Sequence, residues 1–206
     1  MQLQGPSANQ VPPLPPVPPV DRWVFEQPQP LAIAIAAVGL LVGIAMLRGG
    51  SRKAGSLALL VGLAAGAGVF LAGTLIETPR ETISRLAATL ATAAADGDRP
   101  AVAALLEPDA RVAPGQSRLA GLFALEGRER IADEVTRLAR FGLGRIQVLE
   151  TRAALDGTRV GRCQIRVRAL NNEGGWINHS WWLIDWVERD GTWRASKITP
   201  LWFQGS

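Results

Sequence analysis

Two long apolar runs near the N-terminus constrain this chain more than anything else in it. Leu31 to Leu47 holds no charged or strongly polar residue, and Ala54 to Ile76 carries only Ser56 and Thr74 as mild polar groups. At about 1.5 Å of helical rise per residue the runs reach roughly 25 Å and roughly 34 Å. A bilayer's hydrocarbon core is about 30 Å thick, so both are candidate spans. Trp23 and Phe25 stand just upstream, where an aromatic belt would lie. The alternative, two buried helices of a soluble protein, needs a larger surrounding core than 206 residues provide. A cleaved signal peptide fits poorly, because the first run begins late, follows a proline-rich tract and precedes a second run. The expectation is a transmembrane helical hairpin, 31–47 and 54–76.

Both runs carry glycines one turn apart, Gly39 and Gly43 in the first and Gly62 and Gly66 in the second. Such spacing lets backbones approach closely. It serves either packing within the hairpin or assembly with other membrane helices. The connecting segment, Arg48-Gly49-Gly50-Ser51-Arg52-Lys53, holds three cations and no acid. Short positive loops stay cytoplasmic. The expected location is therefore a bacterial inner membrane, with loop 48–53 cytoplasmic and the C-terminal domain outside the cytoplasm. Ahead of the hairpin, residues 1–30 form a proline-rich tail. Val11 to Val20 reads VPPLPPVPPV, a polyproline II pattern that serves as a stiff spacer or as a docking peptide.

Charge and cysteine content narrow the functions available to the rest. The net charge is +4, and from Glu77 onward 18 basic side chains face 16 acidic ones. Nucleic-acid binding needs clustered phosphate contacts, which this mixed distribution does not offer. The single cysteine, Cys163, rules out an intrachain disulfide, and one histidine, His179, leaves too few ligands for a structural zinc site. Neither a cofactor nor a metal is expected.

The chain beyond the hairpin reads as one α+β domain, residues 78–206. Thr78-Pro79-Arg80-Glu81 combines a cap, a first-turn proline and a capping-box glutamate. Ile83, Leu86, Ala87, Leu90, Ala91 and Ala94 then share a helical face, and Gly97 ends the helix. Asp98 caps a second short helix through Leu105 and Leu106, closed by Pro108. A short strand is expected near Arg111 to Ala113. A third helix runs from Arg128 to about Phe141, with Arg130–Glu134 and Asp133–Arg137 pairs on a solvated face. After Gly144 the period changes to two, over Arg145–Ala154, Arg159–Leu170, Trp176–Arg189 and Thr192–Phe203. Asp156-Gly157 and Asp190-Gly191 are strong hairpin signals, so these runs form an antiparallel meander.

Four short motifs carry a family resemblance: Ala95-Asp96-Gly97-Asp98, Leu105-Leu106-Glu107-Pro108-Asp109-Ala110, Gly127-Arg128-Glu129-Arg130-Ile131 and Arg189-Asp190-Gly191-Thr192-Trp193-Arg194. In this order and spacing the stretch from Thr78 to Phe203 resembles the NTF2-like or SnoaL-like superfamily. That resemblance implies a cone, three helices packed on a curved antiparallel sheet, with a pocket between them. It implies either enzymes that use pocket Asp, His or Tyr, or non-catalytic binding and assembly modules. This chain has no Tyr, and no catalytic residue of the family matches by motif.

What remains is a weak constellation. His179, Trp181, Leu183 and Asp185 share one face of a strand, with Arg166 on the strand before. His179 and Asp185 are the candidate acid–base pair, and Arg166, Trp181 and Trp193 the candidate ligand contacts. The plainer reading has His179 satisfied locally and Asp185 paired with an arginine. Six of the seven tryptophans lie between Trp176 and Trp202. Trp176, Trp182 and Trp186 share the opposite face, and with Trp193 resembling the superfamily's core tryptophan, they are expected at an interface. The expectation overall is a membrane-anchored module that binds or assembles, as a homo-oligomer or with other membrane-complex subunits. A membrane-tethered enzyme or small-molecule binder with a Trp-lined pocket is the alternative.

Overall fold

The computed structural model describes residues 11, 13–15, 28–75, 77–113, 124–140, 143–171 and 176–203. The polyproline tract and Trp23 and Phe25 lie wholly or largely outside these residues. So do the third turn at Asn171 to Gly175 and the side chain of Trp176. The described chain forms two compact units, the hairpin and the domain that begins at Pro79.

The hairpin consists of α1 (Pro28–Arg48) and α2 (Arg52–Leu75). The turn between them is closed by its own backbone: the Gly49 and Ser51 N–H groups donate to the Ala45 and Met46 carbonyls at 3.0 and 3.1 Å. The two helices meet at their glycines. A Cβ at Gly39 would lie 2.5 Å from the Gly62 Cα, and one at Gly62 would lie 2.5 Å from the Gly39 Cα. Gly43 faces Leu59, and Gly66 faces the Ala32 carbonyl. All four expected glycines therefore line the seam inside the hairpin, where only a hydrogen side chain lets the backbones touch. The outward surface is apolar: Ile33, Leu41, Leu57, Leu60 and Leu75 are each more than 60% exposed. Both helices are long and apolar enough to cross a membrane.

The domain opens with α3 (Pro79–Asp96) and α4 (Arg99–Leu105). Gly97, at φ +68°, and Asp98 close α3, their N–H groups donating to the Ala94 and Ala93 carbonyls. Asp98 then caps α4, its carboxylate accepting from the Ala101 N–H at 3.0 Å. Strand β1 (Leu106–Val112) starts at once, five residues earlier than the sequence pattern suggests. Pro108 thus lies inside the strand, not at the end of a helix. It has no N–H to donate, and the register of β1 against its neighbour shifts between Leu106 and Arg111. After β2 (Leu125–Glu126) comes α5 (Arg128–Arg140).

The long strands are β3 (Leu143–Leu155), β4 (Val160–Asn171), β5 (Trp176–Arg189) and β6 (Thr192–Phe203). The sheet order is β2-β1-β6-β5-β4-β3. Strands β3 to β6 form the expected antiparallel meander, but β1 pairs parallel to β6, so the sheet is mixed and not wholly antiparallel. The chain between β1 and β6 runs through β2, α5 and β3 to β5, so this parallel pair needs no tight turn. At the β5–β6 turn both Asp190 (φ +53°) and Gly191 (φ +73°) take the left-handed conformation that a two-residue hairpin demands. Asp156-Gly157 instead opens a four-residue loop, closed by the Asp156 N–H donating to the Val160 carbonyl at 2.8 Å.

Helices α3 and α5 cover one face of the sheet. Ile83, Ala87 and Leu90 from α3 and Ile131 and Ala132 from α5 pack on Cys163, Ile165, Val167, Ile184, Trp186 and Ala195. The α5 surface pairs differ from the helical-spacing expectation. Arg99 of α4 takes Asp133 at 2.5 Å and Glu129 at 2.7 Å, and Arg137 turns to Glu134.

Candidate functional site

Strand alternation sorts the candidate residues onto two faces, and the pairing of β4 with β5 fixes which face is which. Cys163 pairs with Ile184, Ile165 with Trp182 and Gly161 with Trp186. These residues look toward the helices. Trp186 is fully buried and Trp182 packs at the margin of the same core, where its indole N–H donates to the Ser180 hydroxyl at 2.9 Å. Phe203 meets the Trp182 ring edge-on at 5.3 Å. Trp186 is therefore a core residue and not an interface residue, a correction to the sequence reading, and Trp182 turns the same way and packs, partly buried, against that core. The reason is register: once Cys163, Ile165 and Val167 turn inward, their cross-strand partners must follow. Trp193 is buried in this core as well.

The helix-facing side is also the place where a ligand pocket was expected. Four large apolar side chains are buried there. Ile83, Leu106 and Trp186 have no exposed surface, and Ile131 is 2% exposed. Cys163 packs here too, and burial pushes its thiol up to about 12, far from a reactive thiolate.

The remaining candidates lie on the opposite, outer face. Arg166 pairs across the strands with Trp181, Arg168 with His179, and Arg162 with Asp185. His179 and Asp185 are six residues apart on one strand, roughly 20 Å at the usual rise. They cannot serve a single small substrate as acid and base. Asp185 is held near Arg162, Oδ1 to Nε at 3.7 Å, which also reaches Asp156 at 2.6 Å. Burial raises the Asp185 carboxyl above its ordinary range, with Arg162 and Lys197 opposing. Burial also lowers the His179 imidazole, and the nearby charges of Arg166 and Arg168 lower it further. His179 thus stands in a positive field.

Several residues of this face carry no motif. Arg152 of β3 places its guanidinium over the Trp181 ring, 5.3 Å from the centroid, and bonds Glu150. Trp181 is only 4% exposed as a result of this crowding, and its indole N–H has no partner. Trp202 of β6 stands directly beside Trp181. The one available signal was the alternation Arg162, Gln164, Arg166, Arg168 along β4, which places four polar side chains in a row.

An α+β cone with its helices on one side and a long bent sheet on the other defines the NTF2-like class. Within it the chain belongs to the SnoaL-like domain family, whose sequence pattern matches residues 78–199. No curated protein matches the chain in sequence. Solved structures resemble it in fold. An NTF2-like protein of unknown function from Pseudomonas putida is 10% identical, with a TM-score of 0.49, over 59% of this chain and 84% of that one. A protein of unknown function with a cystatin-like fold from Nostoc punctiforme is 12% identical, with a TM-score of 0.49, over 60% and 91%. An uncharacterised cystatin-like protein from Caulobacter vibrioides is 16% identical, with a TM-score of 0.47, over 57% and 84%.

Proposed function

We propose that this protein is a membrane-anchored SnoaL-like module that acts by binding or assembly through the outer face of its sheet, without catalysis. The observation that carries this reading is the burial of Ile83, Leu106, Ile131 and Trp186, four apolar side chains packed on the helix-facing side where a substrate pocket is expected. The roughly 20 Å separation of His179 from Asp185 supports it. The anchor follows from the apolar outward surface of the hairpin, which water would not tolerate over so large an area. The cations at Arg48, Arg52 and Lys53 favour an inner-membrane hairpin with this loop cytoplasmic and the domain outside the cytoplasm. Its partner is a second copy or another subunit of a membrane complex.

The test is site-directed cross-linking in native membranes. Thr199 lies on the outer face opposite Leu183, and the one natural thiol, Cys163, is buried. A Thr199→Cys chain carrying a photoreactive label should cross-link to protein. A label on Glu81, on the exposed side of α3, should not. The reading fails if position 199 gives no adduct while the intact protein shows turnover that His179→Ala or Asp185→Ala abolishes.

A further inference from the structure

The outer face carries an electrostatic imbalance that specifies the chemistry of what covers it. The acids beside β4 on this face are already matched. Glu150 is bound by Arg152, and Asp156 and Asp185 share Arg162. Among the described residues of β4, Arg166 and Arg168 on this face have no carboxylate within bridging distance. Arg168 reaches only a neutral group, the Gln147 amide oxygen at 2.5 Å. The Nε atoms of Arg166 and Arg168 are shielded from water and have no acceptor, and the buried indole N–H of Trp181 beside Arg166 has none either. Buried donors without acceptors are costly, and a bound acceptor relieves that cost. The three donors lie on neighbouring positions of β4 and β5.

We propose that an acidic, extended segment of a protein partner docks on this face, its carboxylates taken by Arg166 and Arg168 and flanked by Trp181. The proposal rests on the binding reading above and adds the partner's chemistry. Arg166 and Arg168 are two residues apart on one strand face, roughly 7 Å, which is also the repeat of same-face side chains in an extended peptide. The guanidinium fork matches a carboxylate with two parallel bonds. An acidic subunit fits this row better than a second copy, because face-to-face pairing of two copies would set the arginine row against another of its kind. An anionic lipid surface is the wrong occupant: a membrane-seeking tryptophan protrudes, whereas Trp181 lies covered by Arg152.

The experiment uses the full chain in phosphatidylcholine nanodiscs and a fluorescent peptide of alternating glutamate and threonine, with its glutamine counterpart as control. Binding is read by anisotropy against salt. The glutamate peptide should bind and weaken as salt rises, and the glutamine peptide should not bind. Arg166→Glu should weaken binding by about tenfold or more, and Arg166→Lys should weaken it less, keeping the charge but losing the fork. Circular dichroism of each variant shows that it folds, and Arg168→Gln repeats the test at the next position. Equal binding by wild type and Arg166→Glu overturns the proposal. So does binding only to nanodiscs containing phosphatidylglycerol, or sedimentation as a dimer that Arg166→Glu dissociates. If the label at position 199 still cross-links to protein in the Arg166→Glu chain, the binding reading survives while the acidic chemistry fails.

Discussion

Ile83 of α3 stands so close to Gly161 of β4 that a methyl group at position 161 would lie 2.3 Å from the Ile83 Cδ1. This contact lets α3 lie flat on the sheet. Gly161 pairs with Trp186 of β5, and Ile83 and Trp186 belong to the same core.

Gly161→Ala should destabilise the domain by about 1–3 kcal/mol, because Ile83 has no exposed surface into which it can swing. Ile83→Val alone should cost about 1 kcal/mol. The double variant should cost less than the sum, because valine lacks the clashing Cδ1. Urea denaturation of the four chains measures the coupling, and strict additivity would show that the contact does not exist in solution.

The hairpin seam gives a second expectation. Gly62→Ile drives a branched side chain into the Gly39 backbone and should force the helices apart. After protease cleavage at Arg52, the two wild-type helical fragments should remain together in mild detergent. Those of Gly62→Ile should separate. Leu57→Ile, on the exposed side of α2, is the control and should behave as wild type.

The Cys163 thiol should resist aromatic disulfide reagents at pH 8 in the folded protein and react at once in urea. Its folded value near 12 exceeds the ordinary 9.0. The unfolded chain thus loses this proton first as pH rises, and the group's contribution to stability falls between about 9 and 12. Cys163→Ala should flatten that part of the stability profile. Rapid modification at a rate independent of unfolding would contradict the burial.

Titrations on the outer face carry opposite signs. The folded His179 value is depressed, so its contribution is present above the ordinary 6.5 and is lost as pH falls below it. Arg166→Gln removes one of the two cations acting on it and should move the imidazole resonance midpoint upward in a proton-detected titration. Asp185 has a raised folded value, so its ionisation weakens the fold as pH rises above 3.8. Asp185→Asn should lose that dependence. An unmoved His179 midpoint in Arg166→Gln would show that the two groups do not share a field.

Much of the architecture is written in local pattern. Strands β5 and β6 run over Trp176–Arg189 and Thr192–Phe203, as period-two alternation between turn residues indicates. Gly97 and Asp98 mark the passage from α3 to α4, as their backbone and side-chain chemistry requires. Strand β1 was legible only in its last residues. Leu105-Leu106 before Pro108 reads equally well as the end of a helix, and only the parallel pairing of Leu106 with Ala195 settles it.

The outer face was half legible. Alternation gathers His179, Trp181 and Asp185, but tryptophans on both sides of β5 leave the inward side ambiguous. The sequence by itself determined the apolar hairpin, the element order and which residues share a face, because these depend on periodicity and turn chemistry within one segment. Only the tertiary structure decided that Trp182 and Trp186 face the helices, that Gly39 meets Gly62, and that Arg166 lies beside Trp181. Those outcomes depend on register and packing between segments far apart in the chain, and no local pattern encodes them.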